Sequence, residues 1–218
     1  MYIEVIAKII GAAAPGISLL AYFYLKGQHQ TEPLSRLIKI FIAGGLVVFP
    51  LLVIQRVLAP LGDGFWLESV LYSGLLEEFV KWSLMYGLIC HHVEFKQLFD
   101  GIVYAVAVSA GFATVENLFY VFLMNGNTVS IIWTRALLPV SAHVLFGVTM
   151  GYYLAKLKTN PRPHFLLLSL FLPALFHGAY NSINSMLTPA GDIWLIAFMV
   201  FLWWFNIRKM KVRIRTMI

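Results

Sequence analysis

Glu77-Glu78 and Lys81 stand in the middle of an otherwise apolar stretch running from about Phe65 to Cys90. Two carboxylates beside a cation are a set that can hold and deprotonate a water, because burial raises a carboxyl pKa while a nearby positive charge lowers it, so that two neighbours can take different roles. At helical spacing Lys81 lies one turn from both acids and can neutralise either. The two glutamates are about 100° apart around a helix, so one can face a reaction while the other faces a structural partner. Within a membrane each such charge costs about 2.5–3.5 kcal/mol, which pairing, interior burial or function has to offset.

A membrane is the setting that composition dictates. The chain has 218 residues, 60% of them hydrophobic and 12% charged, with a mean hydropathy of +0.81, where a soluble domain carries about 25% charged residues. The expected fold is all-α: a single polytopic domain, residues 1–218, of about seven transmembrane helices with room for an eighth and none for a separate soluble domain. The net charge of +6 does not indicate nucleic acid, since the basic residues flank apolar spans rather than gather on one soluble face. One cysteine, Cys90, excludes an intrachain disulfide framework.

The spans are expected at about 3–25, 37–58, 65–90, 101–124, 131–157, 164–187 and 193–207, separated by polar or proline-containing turns such as Asn160-Pro-Arg-Pro163. The first is expected to be an uncleaved helix rather than a signal peptide, because its apolar run continues well past Ala12–Ala14. With the amino terminus outside, the inner loops and tail hold Lys26, Arg36, Lys39, Lys96, Lys156, Lys158, Arg162, Arg208, Lys209, Lys211, Arg213 and Arg215, twelve of the sixteen basic residues. That bias satisfies the positive-inside rule and makes residues 208–218 a basic cytoplasmic tail. Gly147-Val-Thr-Met-Gly151 and the small residues of the fourth span signal close helix packing.

Depth then follows from counting at about 1.5 Å per residue. Glu77 and Glu78 fall near mid-membrane and His143 at a similar level, while Glu116, Asn117, His177 and Asn181 lie in the centre or outer half of their spans. Four helices thus offer acids, imidazoles and amides to one layer, with Phe112 on the face of Glu116 and Asn181 on that of His177. Asp100 reads as a helix-start residue favoured by the macrodipole, His91, His92 and His164 as surface residues, and Arg135 as a snorkelling side chain.

Two chemistries remain open for this set. Glu77 and Glu78 can divide into a base and an orienting partner, with His177 and Asn181 as donors to an oxyanion. Alternatively His143, His177 and a glutamate, Glu116 among the candidates, can hold a divalent metal such as zinc with a position left for water. No His-Glu-x-x-His or Gly-x-Ser-x-Gly motif is present.

Glu77-Glu78-x-x-Lys81, Phe99-Asp100-Gly101-Ile-Val-Tyr104, Gly111-Phe112-Ala-Thr-x-Glu116-Asn117, Arg135-Ala-Leu-Leu-Pro-Val-Ser-x-His143 and His177-x-x-x-Asn181 together resemble the PrsW family of bacterial intramembrane proteases. The resemblance runs from Ala14-Pro15-Gly16 to the sixth span. It implies a multi-pass enzyme of the bacterial cell membrane that makes the first, extracytoplasmic-side cut in a membrane-anchored anti-sigma factor. It also implies that Glu77 and Glu78 are the essential pair, with Glu116, His143 and His177 as further site residues. The family is similar to the CAAX-processing and bacteriocin-processing membrane proteases. From that wider pattern Lys81 departs, coming one residue before the expected arginine, and Glu116 stands where a histidine would; both argue against prenylated-peptide substrates. The competing readings of the polar layer are a proton-coupled transporter, against which no inverted repeat is found, and a non-catalytic membrane sensor.

Overall fold

The computed structural model describes residues 2–27, 33–58, 70, 74–91, 98–123, 136–186 and 188–214. Among them there is no strand, and the helices are α1 (Tyr2–Lys26), α2 (Leu34–Leu46), α3 (Val48–Leu58), α4 (Glu77–His91), α5 (Leu98–Leu123), α6 (Ser141–Thr159), α7 (Pro163–Asn184) and α8 (Pro189–Ile214). Six stretches among the described residues are long and apolar enough to cross a membrane, α2 and α3 counting together as Leu34–Leu58. They match six of the seven expected spans. The other expected span contains α4, and its outer part, 65–69 and 71–73, lies outside the described residues. Arg135 and His92 also lie outside them, as do the side chains of Cys90 and His91.

The break between α2 and α3 has a local cause. Pro50 has no N–H to give the carbonyl of Leu46, four residues back, and the helix is interrupted at Val47. Ladder bonds close around the break, from Val47 N–H to Ala43 and from Leu51 N–H to Val47.

Helix α5 is the axis of the bundle. It is buried on every side from Phe99 to Thr114, so it reads as apolar all round rather than amphipathic, and it packs against α1, α2 and α6. The expected small-residue contact is present. A side chain at Gly147 would overlap Ser109 and Ala105, and one at Gly151 would overlap the Gly101 carbonyl, so these glycines let α6 lie backbone-close against α5. The outward faces of α1, α3, α7 and α8 carry exposed Ile, Leu, Val, Phe and Trp, as a lipid-facing surface does.

The helices alternate in direction, which gathers basic residues at one end. Gly27 after α1 lies against Phe99 at the start of α5. Arg36 of α2 donates to the Tyr104 hydroxyl at 3.3 Å. Lys156 near the end of α6 lies over Phe165 at the start of α7, and Lys209 near the end of α8 reaches Tyr153 of α6. Asp100 sits buried in the first turn of α5 and His164 is exposed, as expected of each.

Candidate active site

Two π-helical turns lead into the polar layer. Residues 74–76 wind as a π turn into α4 just before Glu77, and Ala136–Val140 wind as another into α6 just before Ser141-Ala-His143. The second contains Pro139, whose missing N–H disfavours a regular α turn there. The first brings α4 against α7. A Cβ on Gly74 would stand 3.0 Å from the Gly178 nitrogen and 3.1 Å from the Ala174 oxygen, so only glycine fits comfortably between Glu77-Glu78 and the turn bearing His177. Further along, Trp82 Nε1 donates to Ser169 Oγ at 2.8 Å and pins the same two helices.

Of the polar residues expected at one depth, the carboxylates and imidazoles do meet: Glu77, Glu78, Glu116, His143 and His177. Lys81 is fully buried and forms an ion pair with Glu78 Oε1, which is equally buried. The same ammonium lies 3.1 Å from His143 Nδ1 and 4.5 Å from the centroid of the Phe112 ring. Glu78 Oε1 also lies 3.0 Å from His177 Nδ1. His143 Nε2 is 2.8 Å from Glu116 Oε2. The two imidazoles meet edge to face with centroids 4.9 Å apart, and Phe146 stacks on His177 at 5.1 Å.

Proton positions follow from what each group can do. An ammonium only donates, so His143 Nδ1 accepts from Lys81 and its Nε2 carries the proton given to Glu116. Glu78, ionised beside Lys81, only accepts, so His177 Nδ1 donates and its Nε2 keeps a lone pair. That Nε2 is 3.9 Å from Glu77 Oε2, a buried oxygen that accepts no hydrogen bond. Hydrogen-bonded in this way, His177 offers a ligand atom, which fits the second of the two chemistries left open for it.

A metal ion fits these residues. One ligand atom each from Glu77, His143 and His177 all lie within 4.8 Å of one another, all three residues are buried, and an unbonded carboxylate oxygen beside an imidazole lone pair is the donor chemistry such an ion takes. This grouping includes Glu77 in place of Glu116, which instead engages the far nitrogen of His143, as a carboxylate that orients a ligating histidine does. Coordination through His143 requires either Lys81 or Glu116 to release its nitrogen.

Asn181, one turn beyond His177, is half-buried, and its side-chain amide bonds to no other described residue. Asn117 turns away from the layer and donates to the Ala12 carbonyl at 2.9 Å, holding α1 on α5. Gln55 of α3 was not among the expected site residues. Its Nε2 lies 3.4 Å from Glu77 Oε1. The available signal was a lone amide in the run Val48-Phe-Pro-Leu-Leu-Val-Ile-Gln55, but Arg56 beside it makes it read as the start of a polar loop.

Comparison with known proteins places this geometry. The family model described as PrsW family intramembrane metalloprotease matches residues 32–205. The chain is 44% identical over 210 residues to Protease PrsW of Bacillus subtilis (strain 168), covering 94% of each. It is 45% identical over 210 residues to Protease PrsW of Geobacillus kaustophilus (strain HTA426), covering 93% of this chain and 90% of that one. It is 40% identical over 207 residues to Protease PrsW of Halalkalibacterium halodurans, covering 92% and 94%. No solved structure matches it. A buried set of Glu77, His143 and His177 able to hold a metal, within a bundle of membrane-spanning helices, accords with a metalloprotease family. This chain belongs to the PrsW family of intramembrane metalloproteases.

Proposed function

We infer that the enzyme makes the first, extracytoplasmic-side cut in a single-pass membrane protein of the anti-sigma factor class, and that Glu77, His143 and His177 hold a divalent metal ion such as zinc. The observation that carries this reading is the unbonded Glu77 Oε2 facing His177 Nε2 at 3.9 Å within a buried cluster. A bound divalent cation supplies Lewis acidity, polarising the scissile carbonyl and lowering the pKa of a water.

The other roles belong to the chain's own residues. Glu78 is kept ionised by Lys81 and takes the Nδ1–H of His177, which directs the Nε2 lone pair toward Glu77. Glu116 takes the Nε2–H of His143, and its side chain is 23% exposed, so it is the carboxylate through which protons can come and go. In the reaction a water O–H gives its proton to the Glu116 carboxylate as the C–O bond forms, and that proton passes to the leaving nitrogen as the C–N bond breaks. The amides of Gln55 and Asn181 are the nearby uncharged donors suited to the oxyanion. In a metal-free reaction the same unbonded oxygen would make Glu77 the base.

The substrate class is the one the family resemblance implies, and the excess of basic residues in alternate loops supports an outside amino terminus, the orientation in which the outer-half residues of the layer would serve an outer-side cut. Purified enzyme and a candidate anti-sigma factor in one set of liposomes are expected to yield a single outer-side fragment, lost with Glu77→Gln. Cleavage that persists in Glu77→Gln, or a cut in the cytoplasmic segment, would overturn the reading.

A further inference from the structure

A second cluster of charge lies at the basic end of the bundle, about 20 Å along α6 from His143 at 1.5 Å per residue. Lys156 Nζ lies 4.8 Å from the centroid of Tyr152 and 5.3 Å from that of Phe165. Lys209 Nζ, from α8, lies 4.6 Å from the same Tyr152 ring, 4.2 Å from Tyr153 and 4.3 Å from Phe205, and donates to the Tyr153 hydroxyl at 2.8 Å. Two ammonium groups from different helices are therefore held against one tyrosine. Among the described residues neither has a carboxylate partner. Rings orient a cation, but they leave its charge and most of its donors unsatisfied. Two like charges held against one ring repel, and an anion bound to both would relieve that repulsion.

The cluster opens onto an apolar, lipid-facing track. From Lys209 the rings continue through Phe205 to Phe201, 5.8 Å on, and both meet Phe176 of α7, at 5.3 and 6.0 Å. Phe201 is 40% exposed and Trp204 beside it 49% exposed, so the track is open to acyl chains. A pair of cations at the membrane boundary leading into an exposed aromatic strip suits an anion with a hydrocarbon tail better than a soluble one.

We propose that Lys156 and Lys209 form a binding site for the phosphodiester headgroup of an anionic phospholipid, whose chains lie along Phe205, Phe201 and Trp204. Binding there would tie α6, α7 and α8 together at the end of the bundle remote from the metal-binding cluster. It does not depend on the identity of the peptide substrate.

Native mass spectrometry of the full-length enzyme, released from nanodiscs of mixed phosphatidylglycerol and phosphatidylcholine, reads the site directly. Wild-type enzyme is expected to retain one phosphatidylglycerol in preference to phosphatidylcholine. Each of Lys156→Gln and Lys209→Gln should cut that preference about fivefold, and the pair should abolish it. The charge-preserving pair Lys156→Arg and Lys209→Arg should keep it, which separates loss of the site from loss of folding. Lys8→Gln, at a lysine paired with Glu4 at 3.7 Å, should leave it unchanged. The proposal is overturned if the wild type shows no preference, if the double glutamine variant keeps it, or if the double arginine variant loses it. It is equally overturned if glycerophosphoglycerol, the headgroup without chains, binds as well as the lipid.

Discussion

Lys81 and His143 meet through Nζ and Nδ1 at 3.1 Å, and this contact decides which imidazole nitrogen carries the proton. With Nδ1 accepting, Nε2–H must point at Glu116, so the lysine on α4 orders a hydrogen bond between α5 and α6. Because the same ammonium is the partner of Glu78, which takes the Nδ1–H of His177 on α7, one buried cation is linked to polar groups on α4, α5, α6 and α7. The competition it sets up is chemical: a metal ion at Nδ1 of His143 would have to displace Lys81, and one at Nε2 would have to displace Glu116.

Breaking the buried pair from one side is expected to be costly. Lys81→Met leaves the Glu78 carboxylate buried without a counter-charge, and Glu78→Gln does the same to Lys81; each should destabilise the protein by about 3–5 kcal/mol. The double variant Glu78→Gln, Lys81→Met removes both charges and should recover most of that stability while remaining inactive, because His177 and His143 lose the groups that orient them. Unfolding in detergent micelles together with a cleavage assay measures both.

Gln55→Leu removes the amide beside Glu77 and leaves the packing of α3 nearly unchanged, since the residue is only half-buried. If the amide donates to the developing oxyanion, kcat should fall about tenfold or more with little change in KM, in line with a hydrogen bond to a charged group. An unchanged kcat would remove Gln55 from the reaction.

Gly74 and Gly147 test backbone contact rather than chemistry. Gly147→Val forces α6 from α5 through Ser109 and Ala105, and should cost about 1–3 kcal/mol of stability. Gly74→Val pushes α4 from Gly178 on α7. Because that contact sets the spacing of Glu77 and Glu78 from His177, it should lower activity well before it lowers the melting temperature.

The metal-capable cluster was legible in the sequence because charge in an apolar span is expensive and therefore conspicuous. Glu77, Glu78, Lys81, Glu116, His143 and His177 could be set at one depth from span lengths alone, and they do meet. Depth says less about direction. Asn117, beside Glu116 in the chain, is turned about 100° from it and bonds to Ala12 instead. The π turn at 74–76 was not legible, and Pro139 marks only that the helix is disturbed near Ala136–Val140, not that it winds as a π turn, which depends on which carbonyl each N–H reaches. Nor was the choice of Glu77 over Glu116 as the acid grouped with both histidines, which depends on helix rotation that span counting does not fix.

Metal content is the most direct test of the central claim. Purified enzyme, active against its substrate, is expected to carry one divalent ion per chain by elemental analysis, to lose activity with a chelator and to regain it on adding the ion back. Glu77→Gln and His177→Ala should each leave the protein folded and nearly metal-free, whereas Asn117→Ala should keep its metal. Fully active enzyme that contains no metal and is insensitive to chelation would contradict the assignment of Glu77, His143 and His177 as ligands.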